Sequence, residues 1–425
     1  MRENFPGRTG TLTGLPQRES PPTMSAGRDK MLKGIVGLLA GAAALAQPAA
    51  AQSSDPVLIR AAVLRVDNPG LPPISRLDLP PEDLGFAGAR LAIEDNDTTG
   101  QFMGQDFEAV EVTATPDTAE AEMATLLDEG FEFIVVMADD ATTLALADQV
   151  GDQAMVFNAL ARGDNLRGAD CRFNTIHVAP SRAMLADGLA QFLMWKNWPR
   201  WFLIHGSHPE DQAMAEAYRT SAAKFGAQVV EERLYEDTGG ARRTDSGHVQ
   251  VQAQIPVFTQ RAEDHDIVIT ADEADVFAAY LPYLTWDPRP VAGSAGLVPR
   301  SWHPAMEAWG GTQYQSRFER LAERPVREED YQAWLSLRIL GEAATRTQSG
   351  DPKTIKDFIL GDDFDVAGFK GQALTVRDWD HQVRQPILLT TGVLTTSVSP
   401  QDQYLHQTSQ LDTLGVDRPE TQCQF

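Results

Sequence analysis

"DTAEAEMATLLDEGFEFIVVMADDATTLALADQVGD", residues 117–152, carries the fold class of this chain. Residues 117–130 read as a helix closed by Gly130. The run "FEFIVVMA" (131–138) reads as a strand buried on both faces, and "ATTLALADQVGD" as the next helix. Outward from it the same alternation holds. "PVLIRAAVL" (56–64), "DFEAVEVTAT" (106–115) and "AMVFNAL" (154–160) are strands. "DLGFAGARLAIEDND" (83–97) is a helix with Phe86, Ala89 or Arg90, and Ile93 at helical spacing. Strands separated by helices imply a parallel sheet covered on both faces.

After Cys171 the pattern starts again. "SRAMLADGLAQFLMWKNW" is a helix and "RWFLIHG" (200–206) a strand. The next helix has Pro209 in its first turn, Glu210 and Asp211 near its positive end, and Gly226 as its stop. "AQVVEERLY", "HDIVITA" and "RPVAGSAG" continue the strands. Helices return at 305–324, 328–348 and 352–360, followed by strands in "QALTVRDWD" and "QPILLTTGVL". The expected architecture is α/β with two lobes, each a parallel sheet flanked by helices, and with ligand at the carboxyl ends of the strands.

Composition narrows the function. The chain has 425 residues, is 42% hydrophobic and carries a formal charge of −24. So acidic a surface repels nucleic-acid phosphates and anionic membrane faces. Arg28, Lys30 and Lys33 precede an apolar run from Gly34 to Ala46, which ends in Ala49–Ala51. That order is a secretory signal peptide, with cleavage expected after Ala51 and a start at Met24 or Met31. About 13 apolar residues are too few to span a bilayer. Removing residues 1–51 takes away six Lys/Arg and three Asp/Glu and leaves a charge of −27. The mature protein is expected to be exported, soluble and monomeric. Export permits a Cys171–Cys423 disulfide, the alternative being two free thiols.

Two stretches bring a family into view. "GFAGARLAIEDNDTTGQFMGQDFE" and "EEDYQAWLSLRILGEAATRTQSGDP" resemble the first and a later helix of the leucine-type (type I) periplasmic solute-binding proteins of ABC transporters. "SRAMLADGLAQFLMWKNWPRW", "GARRTDSGHVQVQAQIPVFTQ", "YLPYLTWDPRPVAGSAGLVPRSWHP", "DWDHQVRQPILL" and "LHQTSQLDTLGVDRPETQC" resemble a narrower branch, associated with PQQ-dependent alcohol dehydrogenase systems. The resemblance implies two lobes joined by three hinge crossings and an ABC permease as partner. It implies lobe 1 from 52–176 and 292–385, lobe 2 from 177–291, and a lobe 2 return with the tail at 386–425. It also implies reversible binding rather than catalysis. No nucleophile elbow, P-loop or metalloprotease motif is present.

The leucine-type binders hold an amino acid with a Ser-x-x-Thr loop. Here the corresponding "ADDATT" (138–143) offers Asp139 and Thr142 instead, either as ligand contacts or as a cap for the next helix. This departure puts an amino-acid ligand in doubt, and the resemblance to the narrower branch implies PQQ or a similar planar polycarboxylate as ligand, with no cofactor required otherwise. Arginine forks would hold its carboxylates and tryptophan its rings. The candidates are Arg300, Trp302 and His303 in "LVPRSWHP", Trp286 and Arg289 in "TWDPRP", Arg242 and Arg243 in "GGARRTDSGH", and Arg182. A branched-chain amino acid or amide is the alternative ligand, and a ligand sensor the alternative role. His205 and His208 are read as a helix start rather than a metal site.

Overall fold

The computed structural model describes residues 56–70, 73–238 and 245–425. The segment read as a signal peptide lies outside them, as do Arg242 and Arg243. Lobe 1 holds β1 (Val57–Val66), α1 (Phe86–Met103), β2 (Gln105–Ala114), α2 (Ala119–Asp128), β3 (Phe133–Met137), α3 (Asp140–Val150), β4 (Met155–Asn158) and β5 (Thr175–His177). Its strands run parallel in the order β2-β1-β3-β4-β5.

Lobe 2 holds α4 (Arg182–Trp195), β6 (Arg200–Gly206), α5 (Pro209–Phe225), β7 (Gln228–Tyr235), α6 (Asp245–Phe258), β8 (Ile267–Ala271), α7 (Leu281–Leu284) and β9 (Val291–Gly293). Its sheet is parallel in the order β7-β6-β8-β9. The chain then forms β10 (Val298–Arg300) and returns to lobe 1 with α8 (Gly311–Ala322), α9 (Glu328–Thr347) and α10 (Pro352–Ile359). Five short strands follow: β11 (Val366–Ala367), β12 (Ala373–Val376), β13 (Val383–Arg384), β14 (Ile387–Thr390) and β15 (Thr395–Ser399). They build two small antiparallel sheets, β11-β12-β13 and β10-β14-β15.

The sheet of lobe 1 is buried on both sides, as its apolar runs require. Ile59, Ala61 and Val63 of β1 pack toward α1 and α9, while Ala62, Leu64 and Val66 pack toward α2 and α3. The helices α1 and α9 cross at glycines. A Cβ on Gly88 would lie 1.9 Å from the Asp330 carbonyl oxygen, and one on Gly341 2.2 Å from the Asn96 side chain. Only glycine allows backbones this close.

Three differences from the sequence reading have local causes. α1 runs on to Met103 because its stop is Gly104, in the left-handed conformation with its N–H on the Gly100 carbonyl. The helix α6 was not expected, since Pro256 and interspersed glutamines mask its period. The expected lobe boundary after residue 291 falls inside β9, which still pairs with β8.

The first and third crossings lie side by side, and two buried glutamines pin them. Gln382 Nε2 donates to the carbonyls of His177 and Ala179, at 3.0 and 3.1 Å, while its Oε1 accepts from Arg167 at 2.8 Å. Gln385 Nε2 donates to the Val178 carbonyl at 2.6 Å. Its Oε1 accepts from Lys370 Nζ at 2.5 Å, and Lys370 is only 2% exposed.

Burial pulls the Lys370 ammonium down from 10.5 to about 7. The unfolded chain therefore holds that proton over a pH window, from about 7 to about 10, in which the native state does not. Stability rises with pH across this window, and the cost of the buried charge is present in full below it. Lys370→Met should flatten that stretch of the stability–pH curve, read from urea midpoints at several pH values.

The C-terminal tail straps the two lobes together. Leu411 and Leu414 pack into the core of lobe 2. Asp187 of α4 accepts from the Gly415 N–H at 2.8 Å and from Lys224 Nζ at 2.7 Å. The buried Arg377 guanidinium, beside lobe 1, donates to Asp412 at 2.9 Å and to the Leu414 carbonyl at 2.7 Å. The strap ends on lobe 1, with Phe425 stacked on His381 at 4.0 Å and Cys423 bonded to Cys171.

Candidate functional site

A cleft of about 800 Å³ opens between the lobes, where the carboxyl ends of both parallel sheets meet. Lobe 1 supplies Asn68 after β1, Ala138–Ala141 after β3 and Leu160–Arg162 after β4. Lobe 2 supplies Asp272 and Glu273 after β8, Ser294 after β9, and one face of the first half of α5 with Glu210, Met214 and Tyr218. The crossings add Arg182 and Arg300, and the start of α9 adds Glu328 and Glu329. Parallel strands point their carboxyl ends at one edge, so residues far apart in sequence converge there.

The cleft is ionic and self-paired. Arg182 reaches across it, with Nη1 on Asp140 of lobe 1 at 2.8 Å and Nε on Glu273 of lobe 2 at 2.8 Å. Arg162 lies 3.8 Å from Glu273 and 3.4 Å from Glu328. Arg300 Nη1 donates to Glu328 at 3.1 Å, and the Ser301 N–H and hydroxyl donate to its other oxygen at 2.7 and 2.9 Å. Burial alone would raise the Glu328 carboxyl, but Arg162, Arg300 and the Ser301 donors hold it below its ordinary value. Asp140 is likewise carried below its usual range by Arg182, against the effect of its burial.

Among the described residues seven carboxylates and three guanidiniums line the cleft, and each guanidinium already has an acidic partner. Glu329 differs. Burial and then the neighbouring Glu328 raise its pKa. Tyr218 is the one aromatic of the lining among the described residues.

The expected ligand residues divide accordingly. Arg300, Arg182 and Asp139 line the cleft. Asp139 also caps α3, accepting from the Thr142 N–H at 2.7 Å, and Asn68 Nδ2 donates to it at 2.6 Å. Thr142 thus serves the cap through its backbone and is not part of the lining.

Trp302 is not a ligand platform. It is 1% exposed, stacked on Tyr331 at 4.6 Å and 8°, with the edge of Tyr314 at 5.1 Å. His303 lies beside it outside the lining, its Nδ1 accepting from the Ala305 N–H at 3.0 Å, and burial lowers its pKa. Trp286 is exposed away from the cleft. Arg289 pairs with Asp264 on the surface of lobe 2 at 3.2 Å.

A cluster of arginines around a tryptophan does exist, but under the C-terminal strap. There Arg377, Arg384 and Arg418 lie 5.0–5.2 Å from the Trp379 ring. No group of three or more metal-ligating side chains occurs among the described residues. His208 caps α5 together with Asp211.

Sequence reasoning passed over Arg162, Tyr218, Glu273, Glu328 and Glu329. Arg162 and Glu273 each follow directly on a strand read from the sequence, so the carboxyl-end rule was the signal available for them. Glu328 and Glu329 open α9, where acids read as caps, and Tyr218 lies mid-way along α5, where an aromatic reads as core.

Residues 83–255 match the model of the periplasmic binding protein family. No curated protein is matched. Among solved structures the chain is similar to a branched-chain amino acid ABC transporter periplasmic ligand-binding protein from Burkholderia xenovorans, at 15% identity and a TM-score of 0.66, over 86% of this chain and 99% of that one. It is also similar to the leucine-, isoleucine-, valine-, threonine- and alanine-binding protein of Brucella ovis in its closed conformation, at 15% identity and 0.62, over 84% and 98%. A solute-binding protein of an ABC transporter from R. palustris, in complex with benzoate, aligns at 12% identity and 0.61, over 87% and 100%. Residues 83–255 thus match the periplasmic binding protein family, and the chain shares the two-lobe α/β fold of these solved structures.

Proposed function

We propose that this chain is the soluble solute-binding component of an ABC-type uptake system, exported to the periplasm and working with a permease. Its ligand is a small solute with an amine or amide head. The excess of carboxylates over paired guanidiniums in the cleft supports this reading above all. A carboxylate entering there meets like charge, and it gains an arginine only by displacing an acid that already holds it. An amine or amide meets acceptors. Among the described residues no helix is long and apolar enough to cross a membrane, in keeping with a soluble receptor.

A second reading keeps PQQ, on the observation that Arg162, Arg182 and Arg300 converge on one cleft. It lacks a tryptophan platform there. Mass spectrometry of ligand released from natively purified protein separates the two. A small amine or amide is expected, and X-ray scattering should show contraction when it is added back. Recovery of PQQ, or of another polycarboxylate, overturns the first reading in favour of the second.

A further inference from the structure

The carboxylates of the cleft are not equivalent. Asp140, Glu273 and Glu328 are matched by the guanidiniums of Arg182, Arg162 and Arg300. Asp139 caps α3, and Asp272 accepts from the N–H groups of Val276, Phe277 and Ala278 at 2.8, 2.7 and 2.6 Å. Glu210 and Glu329 remain, and neither carboxylate has an ion-pair partner among the described residues. They enter the cleft from different lobes. Glu210 stands in the first turn of α5, and Glu329 in the first turn of α9, which belongs to the core of lobe 1.

A third group points to a ligand independently of these acids. Tyr218 is 1% exposed and lines the cleft, and its hydroxyl has no hydrogen-bond partner among the described residues. A buried phenol normally finds one. Glu210, Met214 and Tyr218 are four residues apart, so they form one stripe of acid, thioether and phenol along α5. At 1.5 Å per residue the stripe is about 12 Å long. Arg162, paired with Glu328 at 3.4 Å, acts electrostatically on both Tyr218 and Glu329, which puts Glu329 near the Tyr218 end.

We propose that the cleft selects a linear α,ω-diamine, with one ammonium held by Glu210, the other shared by Glu329 and Tyr218, and the methylenes lying along Met214. This inference rests on the reading of the cleft as the ligand site. An ammonium has three donors and no acceptor, which suits a carboxylate and a phenol oxygen. It also offsets the repulsion between Glu329 and Glu328. A monoamine fills one end and leaves the other acid alone. An α-amino acid brings a carboxylate to guanidiniums that are already taken. A ligand held at both ends ties lobe 2 to lobe 1, so its affinity is greatest for the closed form.

Calorimetric titration of the purified protein tests this with 1,4-, 1,6- and 1,8-diaminoalkanes, each against the monoamine of the same chain length. The best-fitting diamine should bind at least about tenfold tighter than its monoamine. Glu210→Gln and Glu329→Gln should each bring that ratio close to one. Tyr218→Phe, which deletes only the unpartnered hydroxyl, should weaken diamine binding about fivefold. Glu120→Gln, on α2 outside the lining, should leave the ratio unchanged, which separates a site from the general field of an acidic chain.

The diamine is overturned by monoamines that match every diamine, by no diamine binding, or by a preference that survives both glutamine substitutions in the cleft. It is overturned equally by unchanged diamine affinity in Tyr218→Phe, or by a ratio that Glu120→Gln lowers as much as Glu210→Gln does. Ala213→Trp, an exposed position on the cleft wall, judges the cleft separately and should abolish binding of every amine. If it does so while the preference for diamines is absent, the cleft remains the ligand site. Where no diamine binds, the released-ligand experiment decides the cleft. Diamine binding that Ala213→Trp leaves intact overturns both proposals.

Discussion

Trp302→Ala lowers the unfolding free energy by about 3–5 kcal/mol, the range for emptying a fully buried tryptophan site. The indole is sandwiched flat against Tyr331 and edge-on to Tyr314, in the core that joins α8 and α9 to the sheet of lobe 1. Its removal leaves a cavity that two tyrosines on separate helices cannot both close. Trp302→Phe is the informative control. The indole N–H is buried without a partner, so phenylalanine keeps most of the ring contact and deletes an unpaired donor. Its cost should be well below that of the alanine variant. Urea unfolding measures both. Unchanged stability in Trp302→Ala, together with loss of ligand affinity, would return Trp302 to the wall of the cleft.

Loss of the Cys171–Cys423 bond is the second large effect. The two cysteines are 252 positions apart. Closing so long a loop removes chain entropy from the unfolded state worth roughly 5 kcal/mol in the ideal model, and removal of native bridges costs about 2–5 kcal/mol in practice. The double substitution Cys171→Ser with Cys423→Ser should reduce the unfolding free energy within that range, without creating a free thiol. Hydrogen exchange should then show the amides of residues 410–420 losing protection before the rest of lobe 2. An unfolding midpoint unmoved by the double substitution would show that the strap is held by Asp187, Lys224 and Arg377 alone.

The alternation of strands and helices was readable because hydrophobic period is a local property, and β3 between α2 and α3 shows it within 36 residues. The disulfide was readable because only two cysteines exist to pair. Trp302 was misplaced for a physical reason. Pro299, Pro304 and the glycines around them mark an irregular segment, and irregular segments usually lie outside. What draws Trp302 inward is Tyr314 and Tyr331, which reach it only through the tertiary fold.

The charge of the cleft was hidden in the same way. Arg300 and Arg182 stand in arginine-bearing stretches without adjacent acids. Glu328 and Glu273, which neutralise them, arrive from other elements. Local arginine count therefore predicted an anion site, where three-dimensional pairing produces one with surplus carboxylates.

The order in which the chain visits its lobes bears on how it becomes a protein. Lobe 1 draws its core from residues 59–178 and again from 302–388, while lobe 2 draws most of its core from the interval between them and the rest from residues 387–414. Lobe 2 is in effect an insertion into its neighbour. Its sheet, β6 to β9, is assembled from a single stretch and asks for little long-range closure. The sheet of lobe 1 cannot cover its second face until α9 has been made, some 150 residues after β5 emerges. As the chain emerges the order is then partly reversed from the numbering: the inserted lobe has its sheet and most of its core in hand first, the lobe that begins the chain is covered next, and Ile387, Leu389, Leu411 and Leu414 close lobe 2 at the end.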